Sequence, residues 1–421
     1  MSAAADSTRC ADAEAPLAEP DRIAALDVLR GFALLGIFIM NMPGFSHSLF
    51  AAPTPPATTL DAVVAFVRDL FFAGKFNLLF GFVFGVGFAI QMERLGEVER
   101  ARAGRLGAVA RPRRPAQIYL RRLAFLAVVG LVHAMLLWSG DVLVIYALLG
   151  FALLALRRLD DRGFAILIAA CLLFPALAEM LRPAFFSDAT ETIAAFEYQQ
   201  LEASNDIAFG HGSFLDAVRE TAAVFAWSVR SPLGLYAYLA FCVQMATGIF
   251  TGYVVGRRGW PGRRPATPLR LLAGAVAIAI AGNAIAAVGV DVLATGLGDR
   301  LAWFVTVLAR TFGRAALAAL YVLAVGRLVG AGRTPAWLRP LQQAGRMPLT
   351  NYLLQTLLAT FCFYGWGLGW WGRGGPAFET ALAIALFVCV QLPLGMAWLS
   401  RHRAGPVETL WRFFTYGPPR R

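Results

Sequence analysis

The chain has 421 residues, of which 58% are hydrophobic and only 15% are charged, whereas a soluble domain carries about 25% charged residues. The apolar residues are grouped in runs of about 20, the length that a helix needs to cross a bilayer, so a soluble globular protein is excluded. The net charge of +12 comes from arginines gathered in alternate loops, which is the positive-inside pattern of a membrane protein and excludes a nucleic-acid partner.

These runs predict an all-α, polytopic membrane protein with about ten transmembrane helices and with its N-terminus and C-terminus in the cytoplasm. We therefore expect a multi-pass protein of the bacterial inner (plasma) membrane, with the lipid bilayer as its surroundings. Within the second helix, Gly74 marks a point where the helix can break. The predicted helices lie at about 23–42, 61–92, 118–137, 141–156, 163–182, 232–256, 268–288, 299–328, 346–366 and 376–399.

The chain divides into three predicted regions. Residues 1–22 are rich in Ala, Glu and Asp and form a disordered cytoplasmic tail, residues 23–400 form a single transmembrane helical domain, and residues 401–421 form an amphipathic cytoplasmic tail. The least hydrophobic long stretch is 183–231, which carries many acidic residues and turn signals around His211. It predicts two amphipathic helices on the outer face that act as a lid over the cavity beneath.

Ionisable residues inside spanning helices need a partner or a functional cavity, because a charge at the bilayer centre costs about 2.5–3.5 kcal/mol. Asp27 and Arg30 lie one turn apart near the cytoplasmic end of the first helix. They form either an ion pair that orients the helix or a cationic site for a phosphorylated or CoA-type donor. Lys75, the only lysine, is either a structural counter-ion or a substrate contact.

His133 and Asp141 flank the tight outer turn between the third and fourth helices. Antiparallel helices can bring the two side chains together, so that the carboxylate orients the imidazole as a general base. Tyr146, five residues beyond Asp141, can join this group. The alternative is a buried histidine whose polar atoms are merely satisfied.

Polar residues of the C-terminal half add two further pairs. Arg310 and Arg314 are four residues apart in the eighth helix and need anionic partners. The candidate partners are Asp27, Asp141 and Glu179. Asn351 and Gln355 are four residues apart in the ninth helix, a spacing typical of hydrogen bonds between helices. The five cysteines are too widely spaced for a zinc site or a disulfide framework.

Several motifs that contain these residues match one family. Through them the chain resembles the YeiB-like bacterial membrane proteins, a family of unknown function, over nearly its whole length. The motifs are Leu26-Asp27-Val28-Leu29-Arg30-Gly31, Gly74-Lys75-Phe76, His133, Trp138-Ser139-Gly140-Asp141, Tyr146, the run from Gly345 to Thr356, and the run from Gly405 to Arg412.

The YeiB-like proteins are in turn similar to transmembrane acyltransferases. These include sugar and glycan O-acyltransferases and the lysosomal enzyme that acetylates the terminal glucosamine of heparan sulfate. The similarity rests on the pattern around Leu29-Arg30-Gly31. It implies helices around a pore, through which a cytoplasmic acyl-CoA donates its acyl group to an acceptor on the outer side.

The position of the catalytic histidine differs between these branches. The O-acyltransferases carry it eleven residues after the arginine of the first helix, where this chain has Asn41. The heparan-acetylating branch also has asparagine there and carries its histidine in the following loop, where this chain has His47 at a different spacing. Because His133 belongs to the YeiB-like pattern itself, both His47 and His133 are candidates.

We expect a transmembrane acyltransferase in which His133 and Asp141 are catalytic and acyl-CoA is a co-substrate, with no resident cofactor and no metal. The acceptor is periplasmic or lipid-linked, and assembly as a homodimer stays open. A transporter or flippase of a small metabolite or lipid is the first alternative, and a non-catalytic membrane scaffold is the second. The residues assigned to donor or substrate binding are Asp27, Arg30, Asn41, Lys75, Tyr146, Arg310, Asn351 and Gln355.

Overall fold

The computed structural model of the protein describes residues 24–51, 56–106, 115–260, 269–288, 290–329 and 334–417. Within these ranges the chain forms helices and no strand, which confirms the predicted all-α fold. The predicted tail 1–22 lies outside the described residues. The helices are α1 (Ala24–Ser46), α2 (Thr59–Phe71), α3 (Lys75–Leu106), α4 (Pro115–Leu136), α5 (Leu143–Leu156), α6 (Asp161–Phe185), α7 (Asp188–Gly210), α8 (Phe214–Arg230), α9 (Pro232–Arg257), α10 (Leu269–Val288), α11 (Val290–Leu297), α12 (Asp299–Leu328), α13 (Arg339–Gly345), α14 (Pro348–Phe363), α15 (Pro376–Leu399, with a π-helical segment at Leu386–Gln391) and α16 (Pro406–Tyr416).

In the described part of the chain, eight helical stretches are long and apolar enough to cross a membrane, so the protein is a multi-pass membrane protein. The eight stretches are α1, the continuous stretch formed by α2 with α3, α4, α6, α9, α10, α12 and α15. The predicted fourth and ninth helices correspond to α5, with 14 residues, and α14, with 16 residues. Both are shorter than a typical span of about 20 residues. The count of ten and the cytoplasmic position of both ends stay predictions.

The second predicted helix is broken where the sequence indicated. α2 ends at Phe71 and α3 begins at Lys75, with Gly74 between them at a φ of 73°. This left-handed conformation is one that glycine adopts at no steric cost. A Cβ on Gly74 would also lie 2.9 Å from Cδ of Arg314 on α12. Both the turn and the close approach of α12 therefore require glycine at this position.

α1 lies in the middle of the bundle, where most of its side chains are buried. It packs against α3, α13, α14 and α15. Small residues let the backbones approach: a Cβ on Gly31 would overlap the carbonyl oxygen of Leu341, and a Cβ on Gly345 would overlap that of Asp27. Close packing of this kind is a main source of helix association inside membranes. It holds the Asp27 and Arg30 region of α1 firmly against α13.

The segment 183–231 contains two helices, α7 and α8, joined by a short turn after Gly210, as the sequence predicted. Ser213 and Asp216 form a reciprocal capping box that starts α8. α8 packs against α4 and α9. The Phe209 carbonyl accepts a hydrogen bond of 2.7 Å from the amide of Gly365. α7 and α8 therefore sit on the ends of the bundle helices and are attached to the loop after α14.

The bundle has two ends of different character. One end, here called the basic end, carries the cavity-lining residues Arg94, Arg122, Arg346 and Arg412. The opposite end, here called the lid end, carries α7 and α8. α6 joins the two: its first residue, Asp161, binds Arg257 and Arg258, and its last turn leads into α7. By the positive-inside rule, the basic end is the one predicted to face the cytoplasm.

Candidate functional site

His133 and Asp141 lie together at the lid end of the α4–α5 hairpin. His133 Nδ1 is 2.9 Å from Asp141 Oδ1, and both side chains are 1% exposed. The second carboxylate oxygen of Asp141 accepts a hydrogen bond of 2.8 Å from the amide of Val144, in the first turn of α5. The hairpin is tight because Gly130 lets the two backbones approach closely. Local chain geometry thus fixes the carboxylate against the imidazole.

The other nitrogen of His133 is bonded to a residue that sequence reasoning did not single out. His133 Nε2 is 2.8 Å from Oγ1 of Thr356 on α14, which is buried. With Asp141 accepting the proton on Nδ1, Nε2 is the acceptor for the Thr356 hydroxyl. Tyr352, one helical turn earlier on α14, has its ring centre 5.1 Å from that of His133. Asp141, His133 and Thr356 thus form a carboxylate–imidazole–hydroxyl series that joins α4 to α14.

A cavity of about 290 Å³ runs from the basic end into the bundle. Its deep end is lined by Val142, Leu143, Tyr146 and Tyr352. Val142 directly follows Asp141 in the chain. His133 and Asp141 do not themselves line the cavity, whereas Val142 and Tyr352 do. The cavity therefore reaches the residue that follows Asp141 and the ring that lies beside His133.

The mouth of the cavity is strongly cationic. Five arginines and two carboxylates line it, namely Arg30, Arg94, Arg122, Arg346, Arg412, Asp27 and Glu408. Asp27 pairs with Arg30 at 2.8 Å. The guanidinium of Arg122 lies 4.1 Å from the ring centre of Trp411. Five positive and two negative charges leave an excess of three positive charges, which favours an anionic ligand.

Glu408 has a structural role at this mouth. Its carboxylate accepts hydrogen bonds from the amides of Leu349 and Thr350, at 2.7 and 3.0 Å, and from the Thr350 hydroxyl at 2.5 Å. These amides belong to the first turn of α14, where a carboxylate is favoured by the helix dipole. Burial nevertheless raises the pKa of Glu408 above its ordinary value. α16 is thereby anchored to the start of the helix that carries Thr356.

Of the residues assigned to donor or substrate binding, Asp27, Arg30 and Tyr146 line the cavity. The side-chain amides of Asn351 and Gln355 do not. Gln355 donates to the carbonyl of Leu34 and to Oε1 of Gln391. Asn351 donates to the carbonyl of Ala344 at 2.9 Å. Both amides are buried and join α14 to neighbouring helices. They have the interhelical role that is the default for such residues.

Asn41, Lys75 and Arg310 also lie away from the cavity. Asn41 is half-buried on α1. Lys75 is buried at the start of α3 and donates to the carbonyl of Asp69 at 2.6 Å. Arg310 is exposed on α12. The expectation that Lys75 and Arg30 together hold one donor is not met, because only Arg30 reaches the cavity.

The three carboxylates expected to pair with Arg310 and Arg314 have other partners, so that expectation is wrong. Asp27 binds Arg30, Asp141 binds His133, and Glu179 accepts from the hydroxyl of Tyr236 at 3.0 Å. Arg314 instead lies beside Gly74, at the start of α3.

A second histidine site lies toward the lid end, around Glu379 near the start of α15. We call Ser46, His47, Arg68 and Glu379 the His47 cluster. Glu379 Oε1 is 2.5 Å from Oγ of Ser46 and 3.3 Å from Nδ1 of His47, while Oε2 accepts from Arg68 at 2.8 Å. The Glu379 carboxylate is buried, but the His47 side chain is 41% exposed. Sequence reasoning missed Glu379, although an acidic residue in an otherwise apolar helix was its signal.

Across the described residues, no group of three or more His, Cys, Asp and Glu side chains could hold a metal ion. The two histidine sites contain imidazole, carboxylate and hydroxyl groups. Each site pairs a histidine with a buried carboxylate, which is an arrangement suited to proton transfer.

Comparisons with a family model and with individual proteins both match this chain to proteins whose function is not known. The model of a family described as "Protein of unknown function (DUF418)" matches residues 255–418. The chain is 30% identical to "Uncharacterized protein YxaH" of Bacillus subtilis, over 95% of this chain and 96% of that protein. It is 28% identical to "Uncharacterized protein YeiB" of Escherichia coli, over 94% of this chain and 96% of that protein. No solved structure matches the chain.

Proposed function

This chain belongs to the YeiB-like family of uncharacterized proteins, and from that premise we propose that it is a transmembrane acyltransferase of the bacterial inner membrane. The donor is a cytoplasmic acyl-CoA-type thioester. The acceptor is a hydroxyl or amine on the periplasmic side or on a lipid. The observation that carries the proposal is the arginine-rich cavity, which leads from the basic end to the side chains next to His133.

The shape and charge of the cavity suit such a donor. Arginine binds phosphate oxygens through paired hydrogen bonds, so the five guanidinium groups at the mouth suit the phosphates of a CoA-type molecule. Arg122 and His133 are eleven residues apart on α4, which corresponds to about 16 Å along a helix. The apolar passage between them suits a long, narrow arm that ends in a thioester. The donor would thus present its acyl group near Tyr146 and Tyr352.

His133 would then act as the general base. Asp141 keeps the proton on Nδ1, so the lone pair of Nε2, which accepts from the Thr356 hydroxyl in the resting protein, can take a proton from the acceptor. The acceptor oxygen or nitrogen attacks the thioester carbonyl, its proton passes to Nε2, and the CoA thiolate leaves and takes up that proton. Asp141 stabilises the imidazolium formed in between. Rotation of the Tyr352 side chain would join the cavity to His133, and the acceptor hydroxyl would take the position now held by the Thr356 hydroxyl.

Donor binding is the most direct test of this proposal. We expect the purified full-length protein to bind CoA in isothermal titration calorimetry, and the Arg30→Gln variant to bind it about 10-fold more weakly, because one charged hydrogen-bond donor is lost. Arg219→Gln is the matched control, since Arg219 lies on α8 with 70% of its side chain exposed. Failure of the unmodified protein to bind CoA, or equal weakening by both substitutions, would contradict the proposal.

A transporter or flippase is the alternative that makes the clearest contrasting prediction. It would move a solute or lipid across proteoliposomes in the absence of any acyl-CoA, whereas an acyltransferase would release free CoA and leave such a solute in place. A non-catalytic scaffold gives no reason for a buried carboxylate–imidazole–hydroxyl series, and we do not favour it. A membrane-reconstituted preparation assayed for both activities separates the three cases.

A further inference from the structure

The last helix of the described chain, α16, presents two faces of opposite character. Successive residues of an α-helix are about 100° apart around its axis, so Leu410, Phe413 and Phe414 share one face. All three are more than half exposed, at 57%, 55% and 51%. The opposite face lines the mouth of the cavity through Glu408, Trp411, Arg412, Thr415 and Tyr416. An apolar outer face thus lies directly behind a wall of the cavity.

Hydrogen bonds hold the inner face of α16 against neighbouring helices. The Trp411 indole donates to the backbone carbonyl of Arg122 on α4 at 3.1 Å. The side-chain amide of Gln91 on α3 donates to the Tyr416 hydroxyl at 3.0 Å. Glu408 adds its bonds to the start of α14. Because these contacts lie at both ends of the helix, α16 cannot turn its apolar face toward the protein without breaking them.

The contacts with α4 place α16 near the membrane surface at the basic end. Arg121 and Arg122 lie at the basic end of the apolar part of α4, where arginine side chains reach the lipid headgroups. Trp411 lies at this level because it binds the Arg122 carbonyl. The Phe414 ring centre is 5.7 Å from that of Phe125, which is three residues, or about 4.5 Å, farther along α4. The apolar face of α16 therefore lies at the boundary between headgroups and acyl chains rather than at mid-bilayer.

The apolar face of α16 adjoins the lipid-facing surface of α4. Leu120, Val128 and Leu131 are exposed on α4, at 42%, 61% and 45%, and their spacing puts all three on one side of the helix. Because α4 is long and apolar enough to cross the membrane, this side faces lipid tails. Phe414 contacts the same stretch of α4 through Phe125. Lipid that covers α4 therefore reaches the outer face of α16 as well.

Basic residues flank this apolar face. Arg401 and Arg403 are exposed in the segment just before α16, and Arg121 is exposed on α4. An amphipathic helix with arginines beside its apolar face is typical of helices that lie in the membrane interface. Such arginines are attracted to anionic lipid headgroups. The charges around α16 therefore complement the surface of a bilayer.

We propose that α16 is an interfacial helix, whose Leu410, Phe413 and Phe414 side chains bind the lipid leaflet at the basic end of the bundle, at the boundary between headgroups and acyl chains. The bilayer then holds one wall of the cavity mouth in position, because the same helix carries Trp411 and Arg412 into the cavity lining. This role of α16 is independent of acyl transfer, since its partner is the lipid and it holds for any ligand of the cavity.

The test measures the depth of position 413 in the full-length protein, reconstituted in nanodiscs of phosphatidylcholine and phosphatidylglycerol. A fluorescent amino acid replaces Phe413, and its quenching by lipids with a nitroxide near the headgroup is compared with its quenching by iodide in water. We expect the lipid quencher to be about 10-fold more effective, because the side chain lies in the interface. The same probe at Arg403 should be quenched by iodide, and at Val128 by a nitroxide deeper in the acyl chain.

Two outcomes of this measurement would overturn the proposal. One is iodide quenching at position 413 equal to that at Arg403, which would place this face in water. The other is protection from both quenchers, which would assign the face to a second copy of the chain.

A second measurement tests whether the lipid holds α16 in place. We expect the backbone amides of α16 to exchange hydrogen about 10-fold faster in Phe413→Ser than in the unmodified protein, because apolar contact with lipid is lost. Phe413→Leu keeps an apolar side chain and is the matched control. The amides of α9 should exchange equally in all three proteins, which separates this effect from a general folding defect. Equal exchange of α16 in Phe413→Ser and Phe413→Leu, or faster exchange of α9 as well, would contradict the anchoring role.

Discussion

The two histidine sites of this protein have the same pair of groups in different surroundings. His133 is 1% exposed and both of its ring nitrogens are bonded, one to Asp141 and one to Thr356. His47 is 41% exposed, and within the described residues its hydrogen bonds are made by Nδ1. A histidine beside a buried carboxylate is thus not by itself a sign of which site does chemistry. The other residues around each histidine have to be compared to identify the catalytic one.

The deciding difference is the second partner of each carboxylate. Glu379 has its own cation, Arg68, at 2.8 Å, so a charge on His47 is not needed to balance it. Asp141 forms no ion pair with arginine or lysine among the described residues and is otherwise held by a backbone amide. The Asp141 carboxylate is therefore available to stabilise an imidazolium that forms on His133 during proton transfer. This contrast, together with the cavity, favours His133 as the base.

The largest expected effect compares the two carboxylates. We expect Asp141→Asn to lower kcat for acyl transfer by about 100- to 10,000-fold, because the amide no longer stabilises the imidazolium. Glu379→Gln should leave kcat within about 10-fold of the unmodified enzyme. It should lower thermal stability, since Arg68 loses its charged partner, by about 1–3 kcal/mol. Steady-state kinetics and thermal unfolding of both variants check this, and a larger kcat loss in Glu379→Gln would reverse the assignment.

A smaller effect is expected at Thr356. Thr356→Val removes the hydroxyl and keeps the shape of the side chain, so we expect kcat to change by less than about 10-fold if an acceptor hydroxyl takes its place. Thr356→Ser keeps the hydroxyl and serves as the matched control. If Thr356→Val lost all activity while Thr356→Ser kept it, the hydroxyl at position 356 would itself be required for the reaction, which would contradict its replacement by the acceptor hydroxyl. Acyl transfer assays and mass spectrometry of the intact protein distinguish these results.

The smallest effect is expected for Glu408 and concerns stability. Its carboxylate is buried, it is not paired with a histidine, and we assign it no catalytic role. Its folded-state pKa is raised by burial, so the folded protein holds this proton more tightly than the unfolded chain does. Stability from this group is present below its unfolded pKa of about 4.3 and is lost as pH rises through the raised folded pKa. Glu408→Gln should remove that pH dependence from unfolding measurements. An unchanged pH profile would show that Glu408 does not contribute it.

The sequence predicted features that depend on nearby residues. His133 and Asp141 are eight positions apart across one turn, so hairpin geometry was enough to pair them. The break at Gly74 and the two helices of 183–231 likewise followed from glycine and from local composition. In each case the residues that carry the sequence pattern and the residues that make the contact belong to the same short segment of the chain.

Contacts between distant helices could not be predicted in the same way. Thr356 is 223 positions from His133, and Glu379 is 333 positions from Ser46. Periodicity shows which face of a helix is apolar, but it does not show which helix that face meets. Lys75 was assigned to the donor site with Arg30 for this reason. The Gly74 turn and α12 instead hold it among other cations.

The most direct test of the central claim compares the two histidines in one assay. Full-length protein is reconstituted in liposomes with acetyl-CoA at the basic end and a hydroxyl- or amine-bearing acceptor, and release of free CoA is measured. We predict that His133→Ala loses at least about 100-fold in rate, while His47→Ala stays within about 10-fold of the unmodified protein, with both variants inserted and folded. Loss of activity in His47→Ala with full activity in His133→Ala would contradict the account.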